Sequence, residues 1–351
     1  MSRALVVVLV YNGAGYVRDC LQSLRKAFKA GTEADVLVVD NASSDDSVAR
    51  VRAHFPEVRV IENPENIGFA GGNNVGLRCA IERSYEYVYL LNQDTVVDAG
   101  FLAESLEVAE TDPSIAAVQS KILLHRDRRR INTIGNEIHF LGFAFSGGYG
   151  ALDEGGAAQG SCVEITYASG AAVLLRVSAL EQTGLFNEEL FLYHEDVDLG
   201  WRQRLMGRRV VLAPRSVVYH KYEFSKGARK FYYMERNRYL VMLQNCRIAT
   251  LVLLAVPAAV MQAGMVFFAA ANGWLAEEFR ILLYFCRPAA WRRLCEARRR
   301  VQAARRAPDR LVLRRFRGRL EFAELRSPIL LYVANPLLDL CWTVLRPLIR
   351  W

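Results

Sequence analysis

The run ALVVVLV at Ala4–Val10 contains only apolar residues, and four of them are β-branched valines. An apolar run without alternation is typical of a strand that is covered on both faces. VLVVD at Val36–Asp40 and YVYLLNQD at Tyr87–Asp94 repeat the pattern, and each ends on an acid. We expect further strands at Val58–Glu62 and Ile115–Gln119. Helical stretches of about 10–15 residues separate these strands, so the sequence predicts a mostly parallel, doubly wound α/β sheet.

In such a sheet, ligands bind beyond the carboxyl ends of the strands. Asn12, Asp40 and Asp94 follow three of the predicted strands. We therefore expect these three polar side chains to meet at one edge of the sheet.

Two common nucleotide-binding classes do not fit the glycines of this sequence. A dinucleotide-dependent oxidoreductase needs G-x-G-x-x-G after the first strand, but Gly13 and Gly15 are followed by Arg18 at the third position. A P-loop NTPase needs G-x-x-x-x-G-K-[ST], which is absent from the sequence.

A second acidic stretch, FLYHEDVDLGW at Phe191–Trp201, groups His194, Glu195, Asp196 and Asp198. A helix starting near Asp196 would place this carboxylate at the positive end of the helix dipole. A carboxylate between apolar neighbours can act as a general base for an alcohol. The alternative is that Asp196 caps the helix in a solvated acidic turn.

Three separated aspartates match the needs of a metal-dependent nucleotide-sugar enzyme. Such an enzyme needs one carboxylate for the base or ribose, one for a divalent ion on the diphosphate and one facing the acceptor. Asp40, Asp94 and Asp196 can supply these in that order.

The chain resembles an inverting glycosyltransferase of family 2 with the GT-A fold, and within it the rhamnosyltransferase-like branch of bacterial cell-surface polysaccharide synthesis. The resemblance runs from about Leu5 to Tyr239 and depends on the order and spacing of several motifs. These motifs are VVVLVYN, VVDNASSDDS, NIGFAGGNNVG, LLNQDT, the entry Ser169-Gly170-Ala171, HEDVDLGWR, His220 with Ser225, and ERNR.

The resemblance implies a nucleotide-sugar pocket in which Asp40 accepts a hydrogen bond from the pyrimidine N3–H. The residues alone allow other roles. Asp40 could cap a helix, the glycines could form an ordinary turn, and Arg236 could be a charge on a helix surface. The implied pocket residues are Tyr11, Asn12, Asp40, Asn41, Asn66, Gly68, Phe69, Asn73, Asn92, Gln93 and Arg236.

The resemblance also implies a divalent metal ion, Mg²⁺ or Mn²⁺, held by Asp94 and His220. Asp94 matches the last acid of the D-x-D motif of the family, which here reads Asn92-Gln93-Asp94. One carboxylate suffices where waters and phosphate oxygens complete the coordination shell. A structural role is the alternative for His220.

Asp196 matches the catalytic base of the family, which takes the proton of the acceptor hydroxyl as the anomeric configuration inverts. Glu195 could hold the acceptor or share the proton, because adjacent carboxylates titrate as a pair.

The final hundred residues differ in character from the rest. Thirteen arginines against Glu296 and Asp309 give Arg287–Arg319 a charge of 13 − 2 = +11, out of a net +8 for the 351 residues. Ile248–Ala271 carries no charge, and Ile329–Ile349 is largely apolar. We expect residues 246–351 to form a helical region that attaches a catalytic domain of residues 1–245 to an anionic membrane surface. Nucleic-acid binding and a solvated helical face packed on the catalytic domain are the alternatives.

The sequence therefore predicts an enzyme on the cytoplasmic face of a bacterial inner membrane. The seven cysteines form no C-x-x-C pair, which fits a reducing compartment. The predicted reaction moves a sugar from a dTDP- or UDP-linked donor, with rhamnose as the first choice, to a polyprenyl-diphosphate-linked or other glycan acceptor. A scaffold that binds nucleotide sugars without turnover is the second hypothesis. Nucleic acid is not an expected partner, and oligomerisation is left open.

Overall fold

The computed structural model describes residues 3–29, 34–155, 162–222, 227–322 and 327–351. Twelve strands are assigned within these ranges. They are β1 Ala4–Val10, β2 Asp35–Asp40, β3 Arg59–Glu62, β4 Tyr87–Asn92, β5 Thr95–Val97, β6 Ile115–Leu124, β7 Ile131–Thr133, β8 Asn136–Ile138, β9 Ala144–Ser146, β10 Val163–Glu164, β11 Ala172–Arg176 and β12 Arg209–His220.

The central sheet has the order β10-β12-β6-β11-β4-β1-β2-β3. Strands β3, β2, β1 and β4 are parallel, as predicted, and β6 pairs in parallel with β12. Strand β11 lies antiparallel between β4 and β6, so the sheet is mixed. The expected α/β architecture with a mostly parallel sheet is confirmed.

Strand β12 is long and irregular. Arg209–Ala213 and the run beginning at Val217 are both parts of β12, and a register shift between Ala213 and Val217 marks an irregularity within it. The Gly-rich excursion after Lys121 contains the end of β6 and the short strands β7, β8 and β9.

Helices cover both faces of the sheet and continue through the C-terminal region. They are α1 Val17–Lys29, α2 Ser47–His54, α3 Gly68–Glu82, α4 Phe101–Glu110, α5 Val177–Thr183, α6 Glu195–Leu205, α7 Ala228–Asn245, α8 Ile248–Leu253, α9 Ala255–Ala271, α10 Leu275–Phe285, α11 Pro288–Ala304, α12 Asp309–Leu313 and α13 Asn335–Leu345.

The hydrophobic core is divided by the sheet. Leu21 of α1 and Phe101 of α4 pack with one set of strand side chains, whereas Leu77 of α3 and Leu199 of α6 pack with the other. This division follows from the apolar central strands, whose successive side chains point to opposite faces.

The C-terminal helices pack against α6 and α7. Trp201, Leu240, Tyr284 and Trp342 belong to one buried cluster, and the ring of Phe316 lies edge-on to Trp201 at 4.7 Å. The expected helical C-terminal region is thus present, while a domain boundary at residue 245 stays a prediction.

The apolar run Ile248–Ala271 forms two helices that meet at Leu254. Among the described residues, no helix is both long and apolar enough to cross a lipid bilayer.

Candidate active site

The polar ends of β1, β2 and β4 lie side by side. Asp40 is level with Val10 in the pairing of β2 with β1, and Asn92 is level with Leu9 in the pairing of β4 with β1. Asp94 follows two residues after Asn92. The predicted sheet edge therefore exists, because neighbouring parallel strands end at the same level.

Asp40 has one carboxylate oxygen that the described protein leaves unused. The residue is 3% exposed, and its Oδ2 accepts a hydrogen bond from the amide of Ser43 at 3.0 Å. Its Oδ1 is buried and has no hydrogen-bond partner among the described residues. A buried carboxylate oxygen without a donor is costly, so this oxygen is suited to accept a hydrogen bond from a ligand.

The side chains around Asn41 are engaged within the protein. Asn41 donates to Asn66 Oδ1 at 2.9 Å and to the carbonyl of Gly68 at 3.0 Å. Asn73 donates to the carbonyl of Phe69 at 3.0 Å. These amides position the Asn66–Phe69 loop, and their direct contact with a nucleotide stays a prediction.

Gly68 connects this loop to the acidic stretch. Its φ is +78°, and a Cβ at this position would lie 2.4 Å from the carbonyl oxygen of Phe191. The amide of Ala70 donates to the same oxygen at 3.2 Å. A glycine is required here because a side chain would force the two loops apart.

Tyr11, Asn12 and Gln93 join the strand ends to one another. The side chain of Gln93 accepts from the amide of Tyr11 at 3.0 Å and donates to its carbonyl at 3.1 Å. Asn12 Oδ1 accepts from the amide of Ser44 at 2.8 Å, next to the end of β2. The Gln93 amide is therefore occupied by the protein backbone.

Asp94 and His220 lie together, as the metal hypothesis requires. His220 Nε2 is 3.3 Å from Asp94 Oδ1, and His220 Nδ1 is 2.9 Å from Asn132 Oδ1. If Nδ1–H donates to Asn132, the lone pair of Nε2 faces a carboxylate oxygen, and the pair needs a cation or a proton between them.

The protein supplies only some of the ligands that a divalent ion needs. Within the described ranges, no group of three or more His, Cys, Asp or Glu side chains is placed to hold a metal ion. One carboxylate and one imidazole suit an ion that takes its remaining ligands from water and diphosphate.

Glu195 and Asp196 begin α6, where the sequence predicted a helix start. Asp196 Oδ1 accepts from the amide of Val197 at 2.8 Å, and Oδ2 accepts from the amide of Gly170 at 3.3 Å. Burial raises the pKa of Asp196 to about 6 despite these hydrogen bonds. Burial and the neighbouring charge of Asp196 raise the pKa of Glu195 well above its usual value.

Gly170 brings Asp196 to the sheet edge. The carbonyl of the next residue, Ala171, accepts from the amide of Asn92 at 2.9 Å, two residues before Asp94. A Cβ on Gly170 would lie 3.1 Å from the ring of Phe69 and 4.0 Å from Asp196. The antiparallel placement of β11 thus puts the start of α6 beside the last residue of β4 and the first turn of α3.

The segment before α6 has a strained backbone. Phe191, Tyr193 and His194 have φ values of 60°, 67° and 67°, a region that non-glycine residues rarely adopt. Asn237 holds this segment, since it donates to the carbonyls of Leu190, Leu192 and Tyr193 at 2.7–2.9 Å.

Asn237 belongs to the ERNR motif, but the sequence assigned it no role because an amide in a helix does not show which backbone groups it bonds. Arg236 lies buried beside it and donates to the carbonyl of Glu189 at 2.8 Å. A helix-surface charge is therefore ruled out for Arg236, and its contact with a phosphate stays a prediction. Ser225 lies outside the described residues.

Asp198 has a structural environment. It is fully buried and accepts from Arg202 at 2.8 Å, Gln244 at 2.7 Å and Asn245 at 3.0 Å. Glu195 Oε2, by contrast, has no hydrogen-bond partner in the described part of the chain.

A glycosyltransferase is the class of protein to which this fold and site correspond. The family model described as Glycosyl transferase family 2 matches residues 5–183. The chain belongs to this family. The match ends before Asp196 and His220.

Curated relatives act on several glycans. The chain is 26% identical over 242 residues, 63% of its length and 77% of the relative, to N-acetylglucosaminyl-diphospho-decaprenol L-rhamnosyltransferase of Mycobacterium tuberculosis. It is 27% identical over 172 residues, 49% of its length and 53% of the relative, to the low-salt glycan biosynthesis hexosyltransferase Agl10 of Haloferax volcanii. The chain spans about half the length of several of the curated relatives it matches.

A solved structure shows the same fold. TarS 1-349 of S. aureus matches 99% of this chain and 90% of its own length, with a TM-score of 0.51 and 18% identity. GalNAc-T7, solved with UDP, GalNAc and Mn²⁺, matches 69% of this chain and 47% of its own with a TM-score of 0.55 and 14% identity. The GT-A fold predicted from the sequence is thereby confirmed.

Proposed function

We propose that the chain is an inverting, metal-dependent glycosyltransferase that moves a sugar from a pyrimidine nucleoside diphosphate to a lipid-linked glycan acceptor. The observation that carries the proposal is the hydrogen-bonded path from Asp196 through Gly170–Ala171 to Asn92. This path supports a site in which a base, a diphosphate and a nucleotide lie at one sheet edge.

Asp40 and the Asn66–Phe69 loop would bind the nucleotide of the donor. The unused Oδ1 of Asp40 would accept from the N3–H of uracil or thymine. Asp94 and His220 would hold Mg²⁺ or Mn²⁺. When bound, such an ion offsets the negative charge that builds on the departing diphosphate.

The acceptor half would use Asp196 as the base. With a pKa of about 6, Asp196 is mainly ionised at neutral pH. It would take the proton of the acceptor hydroxyl while the hydroxyl oxygen bonds to the anomeric carbon. The bond from that carbon to the diphosphate oxygen breaks on the opposite face, which inverts the configuration. The raised pKa of Glu195 favours its neutral form, so the negative charge stays on Asp196.

The M. tuberculosis relative supports rhamnose as the sugar and a polyprenyl-diphosphate-linked acceptor, because its name gives both the sugar and the lipid. The proposed donor is dTDP-rhamnose. An acceptor of this kind would be met at the cytoplasmic face of the inner membrane. Many apolar side chains of α8 to α13 are exposed, which supports attachment of residues 246–351 to that membrane.

The test is a donor screen on the wild type and on Asp196→Asn. Wild-type protein with dTDP-rhamnose or a UDP-sugar and Mg²⁺ or Mn²⁺ should transfer sugar, or slowly hydrolyse the donor, and a chelator should stop both. Asp196→Asn should lose transfer by a factor of about 10² or more while it keeps nucleotide affinity.

Asp127→Asn is the matched control, because it makes the same change at a partly exposed bend. Unchanged transfer in Asp196→Asn would remove Asp196 from its role. Donor binding without turnover in the wild type would instead favour a nucleotide-sugar-binding scaffold.

A further inference from the structure

A cavity of about 640 Å³ lies between α12 and the turn that follows α13. Its lining is made of four arginines with one leucine and one proline, and it lies outside the site described above. The lining residues are Arg310, Leu311, Arg314, Arg315, Arg346 and Pro347.

The positive charges of this arginine cavity are poorly balanced by the protein. Arg315 is 3.4 Å from Glu164, but Arg310, Arg314 and Arg346 form no ion pair with any other described residue. Other arginines of the same basic block do find partners, as Arg317 does with Glu137. Three guanidinium groups without acidic partners around one cavity fit an anion such as phosphate, which arginine binds through paired hydrogen bonds.

An exposed apolar stripe leads to the arginine cavity. Its members lie three to five residues apart along the C-terminal helical segment, and all are more than half exposed. The members are Ile329, Tyr332, Leu337, Leu340 and Val344.

A second apolar stripe starts near the same cavity. Ile248, Val252, Val256 and Val260 recur every fourth residue of α8 and α9 and are exposed. The indole of Trp351 donates to Thr250 of α8 at 2.7 Å, and the carbonyl of Trp351 accepts from the amide of Arg310 at 3.1 Å. The arginine cavity thus lies where two exposed apolar helices approach each other.

We propose that the arginine cavity binds the phosphate headgroup of an anionic membrane lipid while the first apolar stripe, from Ile329 to Val344, lies among the acyl chains. Exposed apolar side chains beside the arginines favour a lipid over free phosphate or nucleic acid, because neither of those would cover apolar surface. This inference rests on the proposed function in one respect: it names the lipid that residues 246–351 would bind at the membrane.

The arginine cavity is remote from the base. The amides of Arg306 and Ala307, just before α12, donate to the carbonyl of Leu205 at the last residue of α6. Asp196 lies near the other end of this helix, about 13 Å from Leu205 at 1.5 Å per residue. Lipid binding at the cavity therefore concerns attachment and not the chemical step.

The first test measures flotation with phosphatidylcholine vesicles, with and without phosphatidylglycerol. The variant Arg314→Gln/Arg346→Gln should lose about 25-fold in binding to the anionic vesicles, since each arginine near such a surface accounts for about fivefold. The matched control is Arg299→Gln/Arg300→Gln, which removes the same charge from exposed positions of α11 and should lose several-fold less. Equal losses in the two variants would overturn the proposal.

Further binding experiments distinguish a lipid headgroup from free phosphate and nucleic acid as the bound anion. Leu337→Ser/Leu340→Ser should weaken binding to both kinds of vesicle, and binding that is unaffected would overturn the apolar part of the proposal. Inorganic phosphate or an RNA oligonucleotide that binds wild-type protein more tightly than the anionic vesicles do, with the same dependence on Arg314 and Arg346, would also overturn it. Asp196→Asn should float like the wild type even though transfer is lost, so failure of the catalytic proposal and failure of this one give different results. A cooperative thermal transition, at a melting temperature no lower than that of the wild type, shows that each variant is folded.

Discussion

At the scale of single residues, Asp40 and Asp196 face two different solvation problems. Asp40 is buried with one oxygen bonded to the amide of Ser43 and one without a partner. Asp196 uses both oxygens for backbone amides and still has a raised pKa, because it is buried. Asp40 is thus suited to accept a donor from a ligand, whereas Asp196 is suited to accept a proton.

Replacement of Asp40 by Asn should weaken nucleotide binding. The amide can present an N–H to the N3–H of the base, and a charged hydrogen bond is lost, so the dissociation constant of UDP or dTDP should rise about 10- to 100-fold. Calorimetric titration measures this change. Asp46→Asn, at an exposed ion pair with Arg50, is the control and should bind normally. Equal affinities for Asp40→Asn and wild type would disprove the role of Asp40.

The raised pKa of Asp196 predicts a pH-dependent stability difference. Above about pH 6 the carboxylate is charged in both folded and unfolded chains, and its burial costs stability. Asp196→Asn should therefore raise the free energy of unfolding by about 1–2 kcal/mol at neutral pH, and this gain should shrink as the pH falls from about 6 towards 3.8, below which the acid is mostly neutral in both states. Urea unfolding at several pH values measures it. An Asn variant less stable than the wild type at neutral pH would contradict it, and Asp98→Asn, at an exposed position, should stay within about 0.5 kcal/mol.

Residue roles were harder to predict than residue positions. Asp40 and Asp94 were placed at the sheet edge because each ends an apolar run, and that depends only on local pattern. Gln93 and Asn41 turned out to bond to the protein itself, and Arg236 to a backbone carbonyl. Such partners come from distant parts of the chain, so no local pattern shows them.

At the scale of elements, the start of α3 and the segment before α6 form one unit. Gly68 and Phe191 are in close contact, and the ring of Phe191 stacks on Tyr233 of α7 at 5.3 Å. Asn237 of α7 fixes the carbonyls of the same segment. The loops on the donor and acceptor sides are therefore held against a common helix.

Gly68→Ala should disturb this unit more than a matched change elsewhere. Gly150 has nearly the same φ, +77°, but a Cβ there meets nothing within 4 Å. Gly150→Ala should cost about 1 kcal/mol for the left-handed backbone, and Gly68→Ala about 2 kcal/mol more, because its Cβ collides with the carbonyl of Phe191. Denaturant unfolding compares the two, and only Gly68→Ala should also weaken nucleotide binding. Equal costs would show that the close approach does not matter.

Strands were predicted well where they are apolar and continuous, as in β1 and β2. The position of β11 in the sheet was not predicted, because tertiary packing decides which strands lie next to each other and the residues of one strand do not. This matters for the proposed function, since Gly170–Ala171 lead directly into the antiparallel β11 and the amide of Gly170 donates to Asp196.

At the scale of the whole molecule, the basic block is less uniform than its charge suggests. Arg305 pairs with the buried Asp309, and Arg298 donates to the carbonyl of Cys246 at 2.6 Å, so part of the block secures the C-terminal helices to α7 and α8. The sequence predicted the net charge of this block and its helical character. It could not separate the arginines that pair internally from those left around the cavity.

The hydrogen bond from Ala70 to Phe191 has a consequence for altering donor preference. In the proposed site, a donor sugar of a different size would require the glycine-rich turn and the segment before α6 to move together, because the amide of Ala70 is bonded to the carbonyl of Phe191. Engineering of this enzyme would need compensating substitutions made together on both walls, and libraries that randomise one wall at a time should yield mostly misassembled sites.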